Sequence, residues 1–154
     1  TWDKVLSPLV GVMGALIPIT AGLDASFGHS AHFSLAIRLA AIAIMLAGYA
    51  IGAYALYENR FFSGMVRIQT ERGHHPITTG PYHWVRHPGY AGSLLYNLVT
   101  PFLLESFWSF IPVAIAIYLT VFRTALEDRA LQEKLPGYRD YTKKVKYRLI
   151  PGIW

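Results

Sequence analysis

Apolar residues gather in four long runs separated by shorter polar stretches. The first, Val5 to Leu23, is long enough for one membrane crossing at about 1.5 Å of rise per residue. Pro8 and Pro18 kink such a helix without forbidding it. Asp24 to His32 is a polar connection without Lys or Arg. The second run, Phe33 to Tyr57, exceeds what a crossing needs and predicts tilt or protrusion. Its small residues Ala36, Ala40, Ala41, Ala47, Gly48, Gly52 and Ala53 suit close approach of a neighbouring helix. Arg38 sits near its outer end, where it can snorkel. Glu58 to Pro88 is too charged to cross, and Gly73, Pro76, Gly80, Pro81 and Pro88 break any regular helix there. The third and fourth runs, Tyr90 to Leu104 and Phe107 to Phe122, flank Glu105 and Ser106 and predict a helical hairpin turning near Pro101 to Phe107. The fourth helix should continue amphipathically to about Leu135, where Pro136-Gly137 stops it. The tail, Tyr138 to Trp154, mixes basic and aromatic residues as an interfacial segment does.

Composition sharpens this into a class. The 154 residues are 53% hydrophobic, and a mean hydropathy of +0.32 is too high and too segregated for an ordinary soluble domain. The expectation is an all-α, polytopic integral membrane protein of about four transmembrane helices forming one domain over residues 1–154. Residues 1–57 would supply two N-terminal helices and residues 58–154 the chemistry. There is no cysteine, which excludes disulfides, thiolate metal sites and a cysteine nucleophile. A net charge of +5 raises the question of nucleic acid. The basic residues instead crowd into Arg60 to Arg86 and Arg123 to Arg148, flanking apolar segments, which fits the positive-inside rule and contact with anionic membrane lipids. No nucleic-acid partner is expected. An even number of crossings then puts the N-terminus, the central loop and the tail on the cytoplasmic side. The chain begins at Thr1 rather than Met, so a signal peptide or further helix upstream is left open.

Two polar stretches face that side. One runs from Gly73 through Pro76 and Tyr82 to Gly92; the other is Arg123 to Arg129. Gly- and Pro-rich irregular backbone leaves amide and carbonyl groups free for a ligand at close approach. Tyr82, Trp84 and Tyr90 can line an apolar slot with polar tips, and Glu127 can accept ribose hydroxyls or meet a cation. Arg123 and Glu127, four residues apart, share one helix face, where the plain expectation is an ion pair. Their place at the membrane boundary points instead to function. His83 and His87 have helical metal-pair spacing, but Pro88 takes His87 out of the helical region and no carboxylate or thiolate lies near in sequence, so no metal is expected. For His74 and His75 a solvated loop position is the plain alternative.

Gly80-Pro81-Tyr82 followed by Val85-Arg86-His87-Pro88-Gly89-Tyr90-Ala91-Gly92 resembles the signature of the isoprenylcysteine carboxyl methyltransferase family, its bacterial and archaeal branch and, more distantly, the phospholipid methyltransferases. Arg123, Glu127-Asp128, Leu135-Pro136-Gly137-Tyr138, Tyr141 and Arg148-Leu149-Ile150-Pro151 also match, and Asn59-Arg60-Phe61-Phe62 fits the bacterial subgroup. The resemblance covers roughly Asn59 to Trp154. It implies a helical enzyme of a bacterial or archaeal inner membrane whose cofactor, S-adenosyl-L-methionine, sits in a cytoplasmic pocket made by the central loop and C-terminal segment, with S-adenosyl-L-homocysteine as product. By similarity His74, His75, Pro76, Ile77, Tyr82, His87, Pro88, Gly89 and Tyr90 would contact the cofactor, with Gln69 a weaker carry-over across a loop of varying length. Glu127 would hold the cofactor, and Arg123 would face and bind the acceptor, the two forming the catalytic pair. Asp128 stands where the family often has a second Glu.

The acceptor so implied is lipid-like or prenylated, with a carboxylate as its reacting group. That group is already ionised at neutral pH and needs alignment more than acid or base. An amine acceptor, as in phospholipid N-methylation, would instead have to lose a proton, and His87 or Glu127 could take it. Two other classes stay open: a membrane sterol-type reductase, which shares a His-x-x-Tyr pattern and would bind a nicotinamide cofactor, and a non-enzymatic helical scaffold. Oligomeric state is not legible in the chain.

Overall fold

A computed structural model describes residues 2–29 and 31–154. Among them the regular structure is entirely helical: α1 (Asp3–Ser26), α2 (Leu35–Glu58), α3 (Pro88–Leu103), α4 (Phe110–Lys134) and the short α5 (Tyr138–Lys144), with single 3-10 turns at Thr70–Arg72 and Gly80–His83. Local chemistry sets several boundaries. Ser34 caps α2 by accepting from the Ile37 amide at 3.4 Å. Pro88 occupies the first turn of α3, where its missing N–H costs nothing. Leu135 ends α4 in extended conformation, and Gly137, at φ 79°, makes the left-handed bend into α5 that other residues resist.

Four helices run between the two ends of the bundle, as expected, and three of them meet the length of a full crossing. α1, α2 and α4 are long and apolar enough to span a membrane. α3, at 16 residues, is about 24 Å long, short of a hydrocarbon layer of about 30 Å. It can be short because it is a central element: α2 packs along it on one side and α4 on another. In space the order is therefore α2, α3, α4, α1, and the two helices adjacent in sequence, α1 and α2, hardly touch. This open seam is a tertiary property with no trace in the hydropathy pattern.

The α2–α3 contact is backbone against backbone. A Cβ added at Gly92 would lie 2.5 Å from the Gly48 carbonyl oxygen and 2.9 Å from the Gly52 nitrogen, so only glycine fits. The small residues expected to permit close packing on α2 do so at these positions. At one end of the bundle Asp24, buried, accepts from the Ser106 hydroxyl at 2.6 Å, and Ser109 donates to the Ile17 carbonyl at 3.0 Å, which fixes α1 to the α3–α4 turn. Arg38 stands near that end too, 3.6 Å from Glu105, so it has a partner as well as room to snorkel. Among the described residues it is the only Lys or Arg at this end.

The tail, expected as an interfacial segment, also packs inward. Tyr138, Tyr141, Val145 and Leu149 are buried, and the first three pack with Leu135 into a small apolar core. The amides of Arg86 and His87 donate to the carbonyls of Tyr147 and Arg148, both at 2.9 Å. The segment thus closes over the basic end of the bundle, with Ile150 and Ile153 left exposed.

Candidate active site

The basic end holds a cavity whose walls come from three separated parts of the chain: the loop after α2, the turn into α3, and α4 with the tail. His74, His75, Pro76, Ile77, Tyr82, His87, Gly89, Tyr90 and Glu127 all line it. Of the residues carried over by resemblance, Gln69 and Pro88 are not in this lining. Gln69 is fully buried behind the wall, donating from Nε2 to the Phe61 carbonyl at 2.6 Å and accepting from Arg72 at 2.6 Å. It shapes the loop. Pro88 is packed inside the start of α3. Arg123 lines a different space, described below.

Each wall residue is held by identifiable bonds. Tyr82 accepts at its hydroxyl from Asn59 Nδ2 at 3.1 Å, and its carbonyl accepts from the Tyr141 hydroxyl at 2.6 Å. Burial pushes the Tyr82 phenol above its usual range, so it stays protonated. His74 stacks on Phe61, ring centroids 4.5 Å apart, and its Nδ1 accepts from the Gln69 amide at 3.3 Å. Burial, then the neighbouring His75 and Arg72, lowers its pKa, so the ring is held neutral. The Tyr90 hydroxyl donates to Glu127 Oε2 at 2.7 Å.

Beneath this wall lies a residue to which the sequence assigned no role of its own, the Asp that stands where the family often has a second Glu. Asp128 is completely buried. It accepts from Arg86 through both carboxylate oxygens, at 2.7 and 2.9 Å, from Arg148 at 2.9 Å, from the Tyr138 hydroxyl at 3.1 Å and from Gln132 at 2.8 Å. His87 Nε2 lies 3.2 Å from Oδ1. Arg86 also donates to the carbonyls of Val145 and Lys146 at 2.9 and 2.7 Å. Burial alone would lower its pKa, but the Asp128 bonds raise it above the usual arginine value. Arg148 in turn lies 4.7 Å over the Trp154 ring. One carboxylate therefore joins the α3 turn, α4 and the tail. The arginines were visible in the motif, but their partner lies 42 and 20 residues away in sequence, so spacing gave no signal.

Arg123 and Glu127 share a helix face but do not form the ion pair that spacing alone would give. Arg123 instead bonds Asp3 in the first turn of α1, Nε to Oδ1 at 2.8 Å, and donates from Nη2 to the Gly64 carbonyl at 2.9 Å. Its guanidinium lies 5.3 Å from the Tyr90 ring centroid. Glu127 is left to Tyr90. Asp3 carried no sequence signal beyond its position at a helix start.

Arg123 faces a second space, a groove within the apolar part of the bundle. Val10 of α1, Gly48, Tyr49, Gly52, Ala53 and Leu56 of α2, Ser93 and Tyr96 of α3, and Thr120 and Arg123 of α4 line it. This is the seam left by the separation of α1 from α2. The groove and the cavity share three wall residues, Phe62, Gly89 and Tyr90.

A helical membrane protein with a cavity of mixed polar and apolar lining at its basic end, adjoining an apolar groove, is the class that fold and site define. The sequence profile of the isoprenylcysteine carboxyl methyltransferase (ICMT) family matches residues 36–133, more than half of the chain, and the protein belongs to that family. It is 27% identical over 108 residues to a protein-S-isoprenylcysteine O-methyltransferase of Saccharomyces cerevisiae, covering 70% of this chain and 43% of that one. It is 28% identical over 85 residues to protein-S-isoprenylcysteine O-methyltransferase B of Arabidopsis thaliana, covering 55% and 38%. It is also 29% identical over 154 residues to a Delta(14)-sterol reductase of Mus musculus, covering 91% of this chain and 37% of the reductase. The chain spans less than half the length of each of these relatives.

Proposed function

We propose that this protein transfers a methyl group from S-adenosyl-L-methionine to a lipid-like acceptor. The observation that carries the reading is the shared wall: Tyr90 and Gly89 border both the cavity and the apolar groove. A cofactor in the first and an acceptor chain in the second would bring their reacting ends together at one residue. The cavity's donor set fits a cationic nucleoside: Glu127 has Oε1 unbonded among the described residues, and Tyr82, His74 and Phe62 offer stacking and edge contacts.

The cofactor supplies an activated methyl on a positively charged sulfur. Held by Glu127, Tyr82 and His74, that sulfonium would supply the methyl and leave as a neutral thioether when the acceptor takes it. The protein's work is to bind, align and dehydrate. Glu127, fixed by Tyr90, would hold the cofactor, and Arg123 would face the acceptor's head. The relatives named as isoprenylcysteine O-methyltransferases favour a carboxylate head, which has no proton to lose. The acceptor tail would enter sideways from the bilayer through the α1–α2 seam, with the cavity on the cytoplasmic side where basic residues collect.

The test is calorimetric titration of the full chain in detergent with S-adenosyl-L-methionine, expecting one site. No heat of binding at millimolar cofactor would sink the reading. The sterol reductase similarity over most of the chain supports a second one, reduction with a nicotinamide cofactor. A thermal-shift comparison separates the two: stabilisation by the reduced dinucleotide and not by S-adenosyl-L-methionine would select the reductase.

A further inference from the structure

Asp3 lies in α1, outside the segment that matches the family profile. It is 5% exposed and both of its oxygens are in use. Oδ1 takes Arg123 Nε at 2.8 Å, and Oδ2 takes the Val66 amide at 2.6 Å. With Gly64 on Nη2, the guanidinium keeps only Nη1 without a partner among the described residues. The ion pair is shielded, with 9% and 7% of the two side chains exposed, so solvent screens it little. Arg123 therefore meets the groove with its charge already balanced and with free N–H donors, two of them on the unpartnered Nη1.

We propose that Asp3 is a specificity-determining residue that tempers the hold of Arg123 on an anionic acceptor head. This rests on the methyl-transfer reading with a carboxylate acceptor, and it names what that site does to the carboxylate. A carboxylate loses its charge as it becomes an ester. An unopposed buried guanidinium would bind the fully charged acceptor better than the transition state, where part of that charge has gone, lowering KM at the expense of kcat. It would also be left as an uncompensated buried cation whenever the groove is empty or holds the ester. Asp3 removes both problems. It supplies a permanent counter-ion, while Nη1 still orients the incoming group.

The experiment compares binding of an S-farnesyl N-acetylcysteine and of its methyl ester to the full chain in detergent, for the wild type and for Asp3→Asn and Asp3→Glu. The wild type is expected to bind the acid no more than tenfold tighter than the ester. Asp3→Asn, which removes the charge at constant size, is expected to raise that ratio at least fivefold. Where turnover is measurable, it is also expected to lower both KM and kcat for the acid. Asp3→Glu should return the ratio to within threefold of wild type, and affinity for S-adenosyl-L-methionine should not change. A merely structural Asp3 would weaken acid, ester and cofactor together, and that result overturns the proposal. So does a wild-type acid preference above tenfold, a measurement that needs no variant to fold, or an Asp3→Asn ratio no larger than wild type. Absence of cofactor binding in the wild type would sink the methyl-transfer reading instead, and the acid–ester comparison would still report on Asp3.

Discussion

Tyr90 Oη donates to Glu127 Oε2 at 2.7 Å, which ties α3 to α4 at the point where the cavity and the apolar groove share a wall. The bond spans 37 residues of sequence and leaves one Glu127 oxygen for a ligand. A hydrogen bond to a charged group contributes about 1.5–3 kcal/mol. Glu127→Ala is therefore expected to weaken S-adenosyl-L-methionine binding by about tenfold to a hundredfold. Tyr90→Phe, which keeps the carboxylate but frees its orientation, should cost less. Calorimetry on detergent-purified variants decides, and unchanged affinity in both would remove these residues from the site.

Asp128 is expected to be the most sensitive position for stability. Asp128→Asn would leave Arg86, 6% exposed at its side chain, and Arg148 without their shared anion. Breaking a buried pair by removing one partner costs on the order of 3–5 kcal/mol. For a chain of this size that corresponds to a fall in Tm of about 10 °C. Scanning calorimetry or a thermal aggregation assay reads it, and a Tm close to wild type would show that the hub is not what closes the tail over the cavity.

Gly92→Ala is expected to disrupt the α2–α3 seam, because the added methyl meets backbone atoms of Gly48 and Gly52 at 2.5 and 2.9 Å. Overpacking of this kind costs about 1–3 kcal/mol. Gly11→Ala, with nothing within 4 Å of the added atom, is the matched control and should lose nothing measurable. Equal thermal stability of the two variants would contradict the close packing.

His74 gives the pH dependence. Its folded-state pKa lies below the unfolded value of about 6.5, so the unfolded chain takes up the proton first as pH falls. Stability from this group is fully present above about pH 6.5 and is lost as pH drops through the lower folded-state value. Between pH 7.5 and 5.5 the wild type should therefore lose more Tm than His74→Phe, which keeps the stacking on Phe61. Parallel curves for the two proteins would mean that His74 is not held neutral.

Much of this protein is dictated locally. The runs Val5 to Leu23 and Phe33 to Tyr57 became α1 and α2 because about twenty apolar residues leave helix as the one way to satisfy every backbone group in lipid. Pro136-Gly137 ended α4 near Leu135 for equally local reasons. The turn into α3 and the residues facing the cavity followed from Gly and Pro positions together with likeness to a family motif. The sequence alone left undecided which helices are neighbours and which charges meet. That α1 packs on α4 and not on α2, opening the groove, depends on whole faces fitting together. That Arg123 chooses Asp3, 120 residues away, over Glu127 one turn along its own helix is a tertiary result. So is the gathering of two arginines, a histidine and a tyrosine by Asp128. A buried charge takes whatever partner the packing delivers, and linear spacing carries no record of that.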